Sequence, residues 1–248
     1  MICIEIAGLK IGIDNKYPNI EKISAEYLTE DAPLFTVSVS EREIEEERKN
    51  SEKELTDELK ARGAVFSDGY LESVALHRKI AERLPFYDAV VFHGSAVSLD
   101  GRAYIFTAKS GVGKTTHTRL WQSRFGDRFG IINGDKPILR FIDGVPYICG
   151  TPWRGKENYG KNEIKPLLAI AFLERAKENR SAPMPKDEAV MRLIPSLYLP
   201  KTSEGASLAM NVADRLISSV GLVRVSCNMD AEAAEVSAEA LSQAGKND

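Results

Sequence analysis

Three cysteines, three histidines and two tryptophans in 248 residues leave this sequence poor in the side chains that build metal centres and disulfide frameworks. Cys3, Cys149 and Cys227 are odd in number, far apart and joined by no metal-ligand spacing. That excludes a disulfide scaffold and a zinc-ribbon type of site; it fits free thiols in a reducing compartment, each a small buried hydrophobe. No apolar run approaches the ~18–20 residues of a membrane span, and the opening Met-Ile-Cys-Ile-Glu-Ile alternates like a strand without a basic leader. A cytoplasmic protein with no membrane partner is expected. A surplus of one charge sign is also missing: the formal charge is −3 and the pI about 5.8. Nucleic-acid binders carry a basic surplus, so nucleic acid is not an expected partner, and any polyanion must be held at a focused site. There is no internal repeat and no low-complexity tract.

What is present is the material of an ordinary globular chain, 43% hydrophobic and 28% charged, long enough for a small domain and a larger one. Ile2–Ile6, Leu9–Ile13 and Leu34–Val39 read as strands. Ser40 followed three residues later by Glu43 is a capping box, opening a charged helix from Glu41 to about Arg62. The density of charge there reads as a solvated face. Ser67-Asp68-Gly69 punctuates the chain, and Leu71 to Leu84 then follow helical spacing up to Pro85. The spacing divides the chain at Ser67, into a small α+β domain, 1–66, and a larger domain, 67–248.

The second part begins with apolar strands. Ala89–Leu99 and Ala103–Thr107 flank Asp100-Gly101, and Ile138–Ile142 and Val145–Cys149 flank Asp143-Gly144. Asp-Gly between apolar runs is a strong hairpin signal. A helix over Lys114–Arg124, a buried strand over Leu167–Leu173, helices over Lys186–Leu199, Glu204–Val220 and Asp230–Ala244, and a strand over Leu222–Cys227 complete the pattern. Residues 176–185 read as an exposed loop.

Between the first hairpin and the first of these helices lies Ala108-Lys-Ser110-Gly111-Val112-Gly113-Lys114-Thr115-Thr116. Backbone amides in a glycine turn that opens into a helix form an anion cradle. Gly111 and Gly113 let the chain wrap a phosphate, Lys114 reaches the β- and γ-phosphates, and the Thr115 hydroxyl ligates Mg²⁺. The first glycine of the usual G-x-x-x-x-G-K-[ST] pattern is Ala108 here. The competing reading is a structural glycine turn with an incidental lysine; the strand before and the helix after favour the nucleotide, ATP with Mg²⁺.

The hairpins carry two more residues towards this loop. With Asp100-Gly101 as a two-residue turn, cross-strand partners have numbers summing to 201, which sets His93 opposite Ala108. His77 and His117, on helices, read as structural. With Asp143-Gly144 as the second turn the sum is 287, which sets Asp135 near Pro152. Asp135 ends the short apolar run Ile131-Ile-Asn-Gly, where a carboxylate can hold Mg²⁺ or accept a hydroxyl proton. Arg154 and Lys156 come beside it, where a cation can neutralise a transferring phosphoryl group. Solvated surface charge is their competing reading.

With these residues placed, the sequence resembles the HPr kinase/phosphorylase and phosphoenolpyruvate carboxykinase superfamily over roughly residues 69–227. The likeness rests on His93-Gly94, the hairpin that follows, Ser110-Gly111-Val112-Gly113-Lys114-Thr115-Thr116, and Asp135 beyond it. It implies an α/β fold with a carboxykinase-like P-loop core, a mixed sheet with antiparallel hairpins and flanking helices, preceded by the small α+β unit. It also implies ATP and Mg²⁺, with Thr115 and Asp135 as metal ligands or Asp135 as base, and His93 near the transferred phosphate. The family's second Asp is Lys136 here, which argues against a phosphorylase half-reaction and a two-carboxylate metal site. The family's R-G-L-G-I stretch has only Arg154-Gly155-Lys156 as an echo.

The expected activity is transfer of the γ-phosphoryl group of ATP to a hydroxyl of a protein serine or a small molecule. The alternative is a nucleotide-binding sensor or scaffold without phosphotransfer, kept open by Lys136. Carboxykinase chemistry needs a larger substrate domain, and the hairpin before the loop argues against an ordinary P-loop ATPase. A homo-oligomer is compatible with the sequence.

Overall fold

Ile2–Ile6 (β1) and Leu9–Asp14 (β2) pair antiparallel around Ala7-Gly8, both left-handed with φ of 55° and 69°. Phe35–Ser38 (β3) adds in parallel to β2, its alternate residues Phe35 and Val37 buried and Thr36 and Ser38 exposed. The computed structural model describes residues 1–54, 65–109 and 111–245. The helix Glu41–Glu54 opens with the expected capping box: the Glu43 carboxylate accepts from the Ser40 amide at 2.8 Å, and the Ser40 hydroxyl accepts from the Glu43 amide at 3.3 Å. The remainder of that expected helix lies outside the described residues. By internal contacts the chain forms two units, residues 1–83 and 84–248. The helix Asp68–Arg83 therefore goes with the first unit, one helix later than the division expected at Ser67, because its apolar stripe packs on Glu41–Glu54 and β3.

In the second unit the expected mixed α/β architecture is present. Its strands are Ala89–Val91 (β4), Ser95–Leu99 (β5), Arg102–Thr107 (β6), Phe129–Asn133 (β7), Ile138–Ile142 (β8), Val145–Cys149 (β9), Ile164–Arg175 (β10), Arg180–Pro183 (β11) and Gly221–Cys227 (β12). They form one sheet in the order β4-β8-β9-β10-β6-β5-β7, with β12 beside β10 and β11 beside β12. β10 runs parallel to β6 and β12, and the other pairings are antiparallel. β6 is apolar at consecutive positions because both of its faces are covered. Ala103 and Ile105 join a core under the helices Lys186–Leu193 and Ser203–Ser219. Tyr104 and Phe106 join a second core under Lys114–Phe125 and Glu232–Ala244.

Both hairpins keep the expected register, Ser95↔Phe106 through Leu99↔Arg102 and Ile138↔Cys149 through Ile142↔Val145. Each Asp-Gly turn is left-handed at both residues, with φ of 52° and 79° in the first and 49° and 82° in the second. Three expectations change. Ala89–Leu99 divides into β4 and β5, since the His93 and Gly94 amides pair with Ser196 O and Asp135 O, at a close approach where a Cβ on Gly94 would lie 2.7 Å from the Phe92 ring. The exposed segment 176–185 contains β11, an edge strand that β12 recruits by backbone pairing alone. The helix over Lys186–Leu199 stops at Leu193 and tightens to a single turn at Ile194–Ser196, where Pro195 has no N–H to continue the helical ladder. Cys149 is buried, whereas Cys3 and Cys227 are partly exposed. Among the described residues no helix is long and apolar enough to cross a membrane.

Candidate functional site

β5 is antiparallel to both β6 and β7, so the start of β5 and the ends of β6 and β7 share one rim of the sheet. Each carries polar residues there. His93-Gly94 precedes β5, the glycine loop follows β6, and Asp135-Lys136 follows β7. Because β5 lies between its two partners, His93 enters between the loop and Asp135.

In the loop, Gly111 and Gly113 have φ of 78° and 124°, values that favour glycine. A Cβ on Gly111 would meet no atom within 4 Å, so backbone conformation selects glycine there, and crowding does not. Ser110 lies outside the described residues. The helix Lys114–Phe125 has no acidic residue in its first turn, and its N-terminal amides and dipole favour an anion. Lys114 Nζ donates to the Ala108 carbonyl at 3.3 Å, joining the two ends of the loop. Burial is the main cause that pushes its pKa down; Asp135 opposes the shift and Lys136 adds to it. Thr115 and Thr116 are exposed on the first turn. Thr118 is buried, and its hydroxyl is 2.9 Å from Ser95 Oγ, which pins the helix to β5.

Spacing gave no sign of Arg175, at the end of β10. Its guanidinium donates to the Gly111 carbonyl and, at 3.2 Å, to the Val112 carbonyl. In a trans peptide the N–H points away from the C=O; the Val112 amide, behind the Gly111 carbonyl, donates to the Lys109 carbonyl at 3.2 Å and closes the turn.

His93 is not the cross-strand partner of Ala108. Its amide donates to Ser196 O at 2.6 Å, and that of Gly94 to Asp135 O at 3.2 Å, so the chain leaves the β5–β6 ladder before reaching that position. The imidazole turns to Asp135, with Nε2 3.4 Å from Oδ1. Its pKa is pushed down by burial and by the Lys136 and Lys114 charges, against the opposing pull of Asp135. The other Asp135 oxygen, Oδ2, accepts from Lys136 Nζ at 3.1 Å.

Asn133 and Thr151, also missed from sequence, are both fully buried and hold this dipeptide in place. Asn133 Oδ1 accepts from the Asp135 and Lys136 amides at 2.9 and 2.7 Å. Asn133 Nδ2 donates to Thr151 O at 3.1 Å, and Thr151 Oγ1 donates to Lys136 O at 2.8 Å. The Lys136–Thr151 contact continues the register of the second hairpin. The segment beyond Thr151 returns over Asn133, with Gly134 N donating to Tyr159 O at 2.9 Å and Lys161 N to Ile132 O at 3.1 Å. Gly155, with φ of 72°, packs so closely that a Cβ would lie 2.7 Å from Asp135 Cβ. Arg154 is half-buried beside it, and Lys156 is exposed to solvent.

Magnesium takes oxygen ligands, commonly one or two carboxylates with phosphates and water. The Thr115 hydroxyl suits it. Both oxygens of Asp135, however, have nitrogen neighbours, so direct ligation there has to displace Lys136. Among the described residues no group of three or more His, Cys, Asp or Glu is arranged to hold a metal. The donors present fit an ion held mainly by phosphate oxygens and water.

His117 does not belong to this cluster. It is buried on the loop helix, with Nε2 2.9 Å from Ser237 Oγ and its ring edge-on to Phe106 at 4.9 Å. Burial pushes its pKa down to about 4. This is the structural histidine expected there.

No family model matches the chain, and no curated protein matches it. Among solved structures it is similar to the HPr(Ser) kinase/phosphatase from Coxiella burnetii, with 9% identity and a TM-score of 0.29 over 52% of this chain and 97% of that one. This is a distant likeness of fold.

Proposed function

We propose that this rim binds ATP with Mg²⁺ and moves the γ-phosphoryl group to a hydroxyl of a protein serine or a small molecule, as an HPr kinase-like protein with a carboxykinase-type core. The observation that carries the reading is the convergence of Lys114, His93 and Asp135 around a glycine loop that opens a helix. The amides at the start of the helix Lys114–Phe125 and the Lys114 ammonium hold the β- and γ-phosphates and offset the charge that spreads over them. Magnesium, when bound, adds charge neutralisation between those phosphates. The Asp135 carboxylate orients the acceptor hydroxyl and takes its proton as the new O–P bond forms and the bond to the ADP oxygen breaks. Neutral His93 steadies that carboxylate without taking its charge. Arg154, on the segment packed against Asp135, is the nearer cation for the transferring group; Lys156 faces solvent and is the weaker candidate.

One observation favours a second reading, a nucleotide sensor without phosphotransfer: the Asp135 carboxylate is already paired with Lys136. Transfer from γ-³²P-ATP to cell-extract proteins and small hydroxyl compounds separates the two. In a kinase, Asp135→Asn lowers turnover by about 10²–10⁴ and leaves ATP affinity within about tenfold, ~1.4 kcal/mol. No transfer by the wild type to any acceptor rules out the kinase and leaves the sensor.

A further inference from the structure

Lys136, beside Asp135 in the rim cluster, has no task in the proposed mechanism. Its placement is unusually fixed for a lysine outside a helix or strand. Asn133 accepts its amide at 2.7 Å and Thr151 donates to its carbonyl at 2.8 Å, and both of those side chains are fully buried. A main chain anchored at both polar groups fixes where the side chain starts. Its ammonium lies 3.1 Å from Asp135 Oδ2 and near enough to Lys114 and His93 to disfavour protonation of both. Two ammonium groups and one carboxylate therefore meet at the loop. A site in which protein side chains alone hold a divalent cation has the opposite balance, with carboxylates in excess.

We propose that Lys136 is a built-in counter-cation for the bound phosphates, so that uptake of the nucleoside triphosphate, unlike phosphoryl transfer, does not depend on the divalent metal. The proposal rests on the nucleotide reading above. When the triphosphate arrives, the ammonium swings from Asp135 Oδ2 to a phosphate oxygen, a denser negative charge than one carboxylate. The same movement releases Asp135 Oδ2 for the acceptor hydroxyl, so the base is freed only when the phosphoryl donor is in place.

The test is calorimetric titration of ATP into the full chain, once with excess EDTA and once with excess Mg²⁺. Wild-type affinities should agree within about tenfold. In Lys136→Gln the ratio of the two should widen at least tenfold beyond that of wild type, and Lys136→Arg should restore it. Circular dichroism and melting of the variants check that they are folded; the side chain is 33% exposed, and its loss leaves no core cavity. A lysine with a merely structural role leaves the ratio unchanged, and that result overturns the proposal. Wild-type binding seen only with Mg²⁺ overturns it too, while the nucleotide reading stands. Absence of ATP binding under both conditions overturns both.

Discussion

His93 and His117 lie on the two sides of the glycine loop, one before the hairpin that leads into it, the other one turn into the helix that leaves it. His117 is 2% exposed, bonded to Ser237 and packed on Phe106 and Trp121. The His93 side chain is 47% exposed and faces one carboxylate and two ammonium groups. Both rings have depressed pKa values, from unlike causes. Burial alone acts on His117, while for His93 neighbouring cations add to burial. A histidine whose polar atoms are satisfied by neutral partners in a dry core holds the fold. One held half-open among charges is available to a ligand.

The comparison breaks most clearly at Lys114, which belongs to the His93 side of the loop. Lys114→Ala should lower ATP affinity by about 10³-fold, ~4 kcal/mol, the cost of removing one partner of a desolvated charge pair. Its melting temperature should stay close to that of wild type. A folded variant with unchanged affinity removes the loop from nucleotide binding. On the other side, His117→Leu should cost about 2–3 kcal/mol of stability by leaving Ser237 a bond short and removing the ring packed on Phe106. ATP affinity of the folded protein should not change.

The pH dependence sharpens the same contrast. The folded pKa of His117, about 4, is below its unfolded value of ~6.5. Its contribution is complete above pH ~6.5 and is lost as the pH falls towards 4, by up to about 3 kcal/mol, because the unfolded chain takes up the proton first. Urea unfolding at pH 7.5 and pH 5 should show about 2 kcal/mol of this loss in wild type and much less of it in His117→Leu. His93→Gln should change stability at pH 7.5 by less than about 1 kcal/mol.

The fold was legible where one local signal decides a long-range pairing. Asp100-Gly101 and Asp143-Gly144 can be left-handed at low cost, so each set its hairpin register down to the residue. The same arithmetic failed for His93, because the His93 and Gly94 amides pair with Ser196 and Asp135 instead of β6, long-range backbone bonds without a sequence period. β11 was illegible because its four residues, Arg-Ser-Ala-Pro, are all exposed and without apolar alternation, and its order comes from β12. In the candidate site, the chemistry of the loop and the end of β7 pointed to Lys114 and Asp135, and the structure brings them to one rim of the sheet. Arg175, Asn133 and Thr151 act through backbone groups, which leave no signature of spacing. The one available hint was polar Asn133 ending an apolar strand. Lys136 stood out in sequence as a charge of the wrong sign, but only the structure gives it a partner.

The central claim is that the Gly111–Lys114 loop grips phosphate, and calorimetry of AMP, ADP and ATP against the wild-type chain at one salt concentration tests it most directly. The account predicts affinity rising by at least about tenfold, ~1.4 kcal/mol, with each phosphate added. Equal affinities for AMP and ATP would contradict it.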